Sequence, residues 1–559
     1  MNAPSPQAKP GQALSFPPKP GIDVDAVIIG AGFSGIRTLI EMKRLGLNAI
    51  IIESGPDIGG TWYWNRYPGA RTDSQAWVYG FPLDEIRFDW RWTERYSTQA
   101  QTHDYITHVA NTFNLWPSIR LNTSVESATF DEEQQSWIIG TDEGSNVSAR
   151  FVFTATGQLS QPHVPKFDGL SDFTGDVYQT QYWPEGGVDF TDKRVAIVGT
   201  GATAVQVIPI VAKQAKDLKV FQRTANYVLP ARNDALSDHD IADLRANSDE
   251  IWERAFTQPF GMDIKQAGRL AADFTPEEQL RILERGWEIG GFRFLFETFD
   301  DIFSDDGSNA VASDFIRGKI RSIVDDPETA DLLCPKGYPL GNKRPPLGNY
   351  YYETFNRDNV SLVDISANPV TIEPTGIRVG DEFHEVDAII FATGYDAITG
   401  TLARIDIRGR NGVALKDRWT NGPQTYFSML VDGFPNLFMV AGPQSPFANI
   451  PMVTEYTVRW LSKLLKTASE KGSDLIEPKP ESVEQFRQLV EAVTDATVFR
   501  RDGVRNWFLG SNIPGKAEAT VMWLGGLGTF GDACDVEVNS GYSGLEFEKT
   551  ADKQAASLS

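Results

Sequence analysis

Two glycine-rich turns in this chain have the residue types and spacing needed to cradle phosphate. Residues 27–35 read VIIGAGFSG and residues 195–204 read VAIVGTGATA. Each turn follows a short aliphatic run and opens a helix-like segment, so backbone N–H groups and the positive end of a helix converge on one point. In the first turn Gly30 permits the tight reversal, Gly32 leaves room for a pyrophosphate, and Gly35 lets helix and strand pack closely. Gly199, Gly201 and Ala204 take those positions in the second, interleaved with Thr200 and Thr203. The next aliphatic runs end differently. NAIIIE ends in Glu53, an acceptor suited to adenosine ribose hydroxyls, whereas LKVFQRT ends in Gln222, Arg223 and Thr224. A guanidinium and a hydroxyl at that point suit a 2′-phosphate. One nest therefore fits FAD and the other NADPH, and the pair implies redox chemistry.

The elements that must hold these nests read as an α/β fold with two Rossmann-like dinucleotide-binding domains, one for FAD and one for NADPH, and a helical insertion. The apolar runs FVFTATG and AIIFATGYD both exit through Ala-Thr-Gly, where a chain can cross between cofactor domains. The predicted order begins with a proline-rich, mobile lead-in over 1–22. A discontinuous FAD domain covers 23–157 and 385–559. An NADPH domain covers 158–230 and 335–384, and the acidic helical insertion spans 231–334. A hydrophobic content of 41% and a charged content of 23% are those of an ordinary globular protein. The net charge of -23 argues against nucleic acid or an anionic membrane as partner. No apolar run approaches the roughly 20 residues that span a bilayer. Cys334 and Cys534 are the only cysteines, too few for a disulfide framework and without a redox pair, which points to a reducing cytoplasm. The five histidines show no metal-ligand spacing, so no metal is expected.

Between the nests, residues 173–184 read FTGDVYQTQYWP. This resembles the FxGxxxHxxxWP fingerprint of Baeyer–Villiger monooxygenases, with Phe173, Gly175 and Trp183 in place and Gln179 where the histidine stands. GGTWYWNRYPGARTD, residues 59–73, matches a second fingerprint of that family without exception. GGFRFLFETFDDI, KRPPLGNYYYETFNRDNV, FATGYDAITG, GPQSPFANIP and NWFLGSNIPGK resemble its cyclohexanone monooxygenase group. The similarity covers nearly the whole chain after residue 22.

The resemblance implies hydride transfer from NADPH to FAD and addition of O2 to give a C4a-peroxyflavin. Attack on a ketone carbonyl then inserts oxygen to form an ester or lactone. It implies that Arg344, in GNKRPPL, is the essential cation for peroxyflavin and adduct oxyanion, and that Asp73 is its partner. Thr61, Trp62, Asp73 and Tyr79 are implied flavin contacts. Lys343 would join Arg223 and Thr224 on the 2′-phosphate, Arg71 and Arg344 would also serve NADPH, and the Trp507 indole would close over nicotinamide on a loop bounded by Gly503 and Gly510. Leu159, Phe447 and Met522 are implied to line the substrate pocket, Met522 replacing a phenylalanine with an adaptable thioether. Gln179 keeps hydrogen-bonding capacity without charge, so it is expected to tie the linker to backbone. Two rivals share the nests: a flavin monooxygenase oxidising nitrogen or sulfur, and an uncoupled NADPH oxidase or cofactor-binding protein. The pairing of Asp73 with Arg344 favours the ketone. Oligomeric state is not legible.

Overall fold

Aliphatic runs such as VDAVII and RVAIV have apolar residues facing both ways, and they form parallel strands buried on both faces. They are the inner strands of two separate sheets in the computed structural model, which describes residues 13–17, 19–164, 166–500, 506–511 and 513–549. The first sheet has eight strands. At its centre Val24–Ile29 lies parallel to Ala49–Ile52 and Asn146–Thr154, with Val27 facing Ile50 on one side and Val152 on the other. The late strands Asp406–Arg408 and Leu437–Met439 complete it, so this sheet draws on both ends of the chain. The second sheet is parallel throughout, in the order Val360–Asp364, Asp217–Gln222, Arg194–Val198, Ala388–Phe391, Asp176–Gln179.

Ala388–Phe391 corrects the expected return to the first domain at 385. All four of its residues are buried, between Arg194–Val198 and Asp176–Gln179. A strand apolar on both faces needs neighbours on both sides, and the antiparallel hairpins of 370–385 deliver it there. The crossover comes after Phe391, at the Ala-Thr-Gly exit.

Residues 238–333 form the expected helices, beginning with Asp238–Ala246 and ending with Pro327–Leu333. Ser237 and Thr275 start two of them with capping boxes. Insertion and second sheet share one core, in which Phe294, Ile316 and Ile320 join Val195, Ile197 and Val220. The described part of the lead-in is docked rather than mobile. Phe16 packs edge-on against Phe151 at 5.1 Å, Arg150 Nη2 donates to the Pro17 carbonyl at 2.7 Å, and Lys19 pairs with Asp474 at 3.4 Å. Asp474 is buried and needs these cations beside it. Residues 1–12 and 18, and Gly503, lie outside the described residues. Among the described residues no helix is long and apolar enough to cross a membrane, and no cluster of three or more His, Cys, Asp or Glu side chains could hold a metal ion.

Candidate active site

The central strand of each sheet runs into a glycine turn and then a helix, Phe33–Arg44 in the first and Ala202–Val211 in the second. Gly30 turns with φ +106°, and a Cβ there would stand 2.6 Å from the Ala155 carbonyl oxygen. A Cβ on Gly35 would overlap the Gly30 carbonyl oxygen. Gly32 and Gly201 are the N-caps, and neither helix has a side-chain cap or an acid in its first turn. The insertion helices at Asp238 and Pro276 have both. Leading N–H groups without a cap, at the positive end of a helix, suit an anion. The approach to the second is open: nothing lies within 4 Å of a Cβ built on Gly201.

Glu53 is buried beside the first turn, its Oε2 accepting from the Ala31 N–H at 2.6 Å and its Oε1 from the Gly55 N–H at 2.7 Å. At the second turn Thr200 Oγ1 donates to the Thr224 carbonyl at 2.7 Å, and Arg223 is exposed next to it. Burial first, and then the Arg223 charge, pull the Lys343 ammonium below its usual range. Two like charges from distant segments are thus held together, an arrangement that a phosphate between them would relieve.

The same Lys343 segment carries Arg344, whose Nε and Nη2 lie 2.9 Å and 2.6 Å from Asp73 Oδ2. Its guanidinium carbon sits 5.3 Å from the Phe292 ring centroid and 5.2 Å from that of Phe447. Tyr79 feels the charges of both Asp73 and Arg344, although burial is what chiefly raises its pKa. Trp62 Nε1 donates to the Tyr79 hydroxyl at 3.2 Å, while Thr61 opens the short helix Thr61–Trp64 and is exposed. Tyr67 donates to Gln206 Oε1 at 3.0 Å, and Gln206 Nε2 donates to the Arg71 carbonyl at 3.1 Å. This straps the 59–73 loop across the helix that carries Thr203 and Ala204. Arg71 itself pairs with Glu94 at 2.8 Å.

Phe447 and Met522 belong to the large apolar core that Trp507 packs against, and the Trp507 and Phe447 rings lie 5.7 Å apart. Leu159 does not join them: it is 38% exposed. In the linker, Phe173 packs onto Gly175, and Trp183 is buried beside Tyr178 at 5.6 Å. The expected tie from Gln179 to backbone is made by its neighbours instead. Gln181 Nε2 donates to the Gly394 carbonyl at 3.0 Å and Thr180 Oγ1 to that of Phe391 at 3.3 Å. The strand ends at Gln179, and the turn Thr180–Tyr182 swings Gln181 inward. Phe292, Gln181 and the buried amides Asn342 and Asn506 escaped the sequence reading. All four lie inside stretches quoted for the family resemblance, GGFRFLFETFDDI, FTGDVYQTQYWP, GNKRPPL and NWFLGSNIPGK, but nothing in those stretches singled them out.

Two dinucleotide nests and a paired arginine between aromatic rings define the class as a flavin- and nicotinamide-dependent oxidoreductase. The pattern of the family described as pyridine nucleotide-disulphide oxidoreductase matches residues 27–237. A Baeyer–Villiger monooxygenase of Pseudooceanicola batsensis is 41% identical over 95% of this chain and 98% of its own length. A phenazine N-monooxygenase of Lysobacter antibioticus is 38% identical over 90% of this chain and 93% of its own. The solved cyclohexanone monooxygenase from Rhodococcus sp. Phi1, bound to NADP+, superposes with a TM-score of 0.91 at 38% identity, covering 94% of this chain and 99% of that one. The chain belongs to the Baeyer–Villiger monooxygenase family.

Proposed function

We propose that this protein binds FAD in the nest of residues 30–35 and NADPH in that of residues 199–204, and inserts one atom of O2 beside the carbonyl of a ketone. The product is an ester, or a lactone from a cyclic ketone. One observation carries the reading: Arg344 and Asp73, from segments far apart in sequence, form an ion pair framed by Phe292 and Phe447. The first sheet would form the FAD domain and the second the NADPH domain. Bound FAD would pass electrons from NADPH to O2 and so activate it, one oxygen atom entering the product and the other leaving as water. Glu53 would hold the adenosine ribose of FAD, and Trp62, Tyr79 and Asp73 would line the flavin. Arg223, Thr224 and Lys343 would hold the 2′-phosphate, and Trp507 would cover the nicotinamide. As a ketone is attacked, negative charge develops on its oxygen, and Arg344 would meet it with fixed donors. Such a donor is worth about 3–4 kcal/mol. Asp73 aims the guanidinium, and the Phe292 and Phe447 rings pack beside it. Phe447 and Met522 would contact the substrate. A reducing cytoplasm suits Cys334 and Cys534, which are both buried and free.

A second reading, oxygen transfer to nitrogen, is supported by the phenazine N-monooxygenase relative. One experiment separates the two. The FAD-loaded enzyme is given NADPH and O2 with a panel of linear and cyclic ketones, and separately with phenazines and tertiary amines. Ester in proportion to NADPH consumed supports the ketone. N-oxide without ester supports the second reading, and hydrogen peroxide alone rejects both.

A further inference from the structure

Two buried amides lie between the Arg344 loop and the Trp507 turn, outside every group given a role above. Asn342 is 0% exposed and Asn506 is 3% exposed. Asn506 Nδ2 donates to Asn342 Oδ1 at 3.2 Å and to the Phe499 carbonyl at 3.2 Å, and Asn342 Nδ2 donates to that same carbonyl at 3.0 Å. Asn506 Oδ1 accepts the Leu509 N–H at 3.0 Å, which caps the turn Trp507–Leu509. Buried amides are costly unless their donors and acceptors are paired, and here the two amides pair once with each other and share the Phe499 carbonyl. Moving either segment would open both. Asn342 stands two residues before Arg344, and Asn506 immediately before Trp507. The Phe447 ring spans the same gap, in contact with the Arg344 guanidinium and the Trp507 indole.

We propose that Asn342 and Asn506 are a positioning pair that locks the Trp507 turn to the Arg344 loop and so retains the nicotinamide nucleotide beside Arg344 during oxygen insertion. This rests on the function proposed above. The test compares Asn342→Ala, Asn506→Ala and the double variant, each purified with FAD, with the parent enzyme. NADP+ affinity is measured by calorimetric titration, and hydrogen peroxide is measured as a share of NADPH consumed. Each single variant should bind NADP+ about fivefold more weakly, the size of one lost buried hydrogen bond, and release more peroxide. The double variant should stay within about twofold of the weaker single variant, because either change already breaks the pair. Effects that multiply, or single variants with the parent's affinity, overturn the proposal. If an alanine variant does not fold, Asn506→Asp replaces it. That change keeps the acceptor for the Leu509 N–H but removes the donor to Asn342 Oδ1 and the Phe499 carbonyl, and at least the same fivefold loss is expected. Unchanged affinity again overturns the proposal. A non-additive cycle in an enzyme that makes no ester rejects the functional reading and leaves the pair standing; an additive cycle in one that does make ester has the opposite meaning.

Discussion

Replacing Arg223 with alanine should separate the two nicotinamide cofactors. Arg223 follows the strand Asp217–Gln222 and is exposed, one residue before Thr224, whose carbonyl is tied to Thr200 of the second turn. A charge-assisted hydrogen bond contributes about 1.5–3 kcal/mol, and exposure to solvent favours the lower part of that range. About 2 kcal/mol corresponds to a rise of roughly thirtyfold in KM for NADPH. NADH lacks the 2′-phosphate, and its KM should stay where it is. Initial rates with both cofactors at two salt concentrations measure this, and the NADPH effect should shrink at higher salt. Equal losses with NADPH and NADH would refute a 2′-phosphate role for Arg223.

Asp73→Asn leaves the Arg344 charge in place but poorly aimed, so ester yield per NADPH should fall by about tenfold, less than for loss of the cation itself; an unchanged yield would remove Asp73 from the chemistry. Gln179→His should change the rate of flavin reduction by up to about tenfold, read by stopped flow, without changing which ketones are accepted. A new product range with unchanged reduction would instead put Gln179 at the substrate. Burial alone would raise the Glu455 carboxyl, but Arg37 and Arg459 hold it down to about 2, with Arg37 Nε at 2.6 Å. The stability this contributes is complete above the ordinary glutamate range and is lost as pH falls from there toward about 2. Glu455→Gln should therefore cost about 3 kcal/mol at neutral pH and flatten the acid limb of the unfolding midpoint; a limb as steep as the parent's would contradict the pairing.

The nests were legible because their constraints are local: glycines at set spacing, a strand before, a helix after, and a polar residue at the end of the next strand. Gly30 and Gly35 are glycine because a Cβ at either would run into backbone, and that requirement shows in a single sequence. Arg344 and Asp73 stood out through their motifs, but that they meet is a property of the folded chain. Sheet membership was harder. AIIFATGYD reads equally well as the last strand of one domain or the first of the next, and only pairing with Arg194–Val198 decides. Gln179 and Gln181 differ by a turn that no residue pattern announces. The docking of Phe16 and Lys19 depends on Phe151, Arg150 and Asp474, which lie far along the chain. Asn342 and Asn506 likewise become partners only in three dimensions.

The most direct test of the proposed chemistry starts from Arg344→Ala enzyme whose flavin has been reduced chemically, so that hydride transfer from NADPH plays no part. It is mixed with O2, NADP+ and cyclohexanone, and lactone and hydrogen peroxide are both quantified against the parent enzyme. Flavin content should match the parent's, lactone should fall by about 10²–10³, and hydrogen peroxide should take its place. Lactone at the parent's yield would contradict the assignment of Arg344 to the oxygen-insertion step.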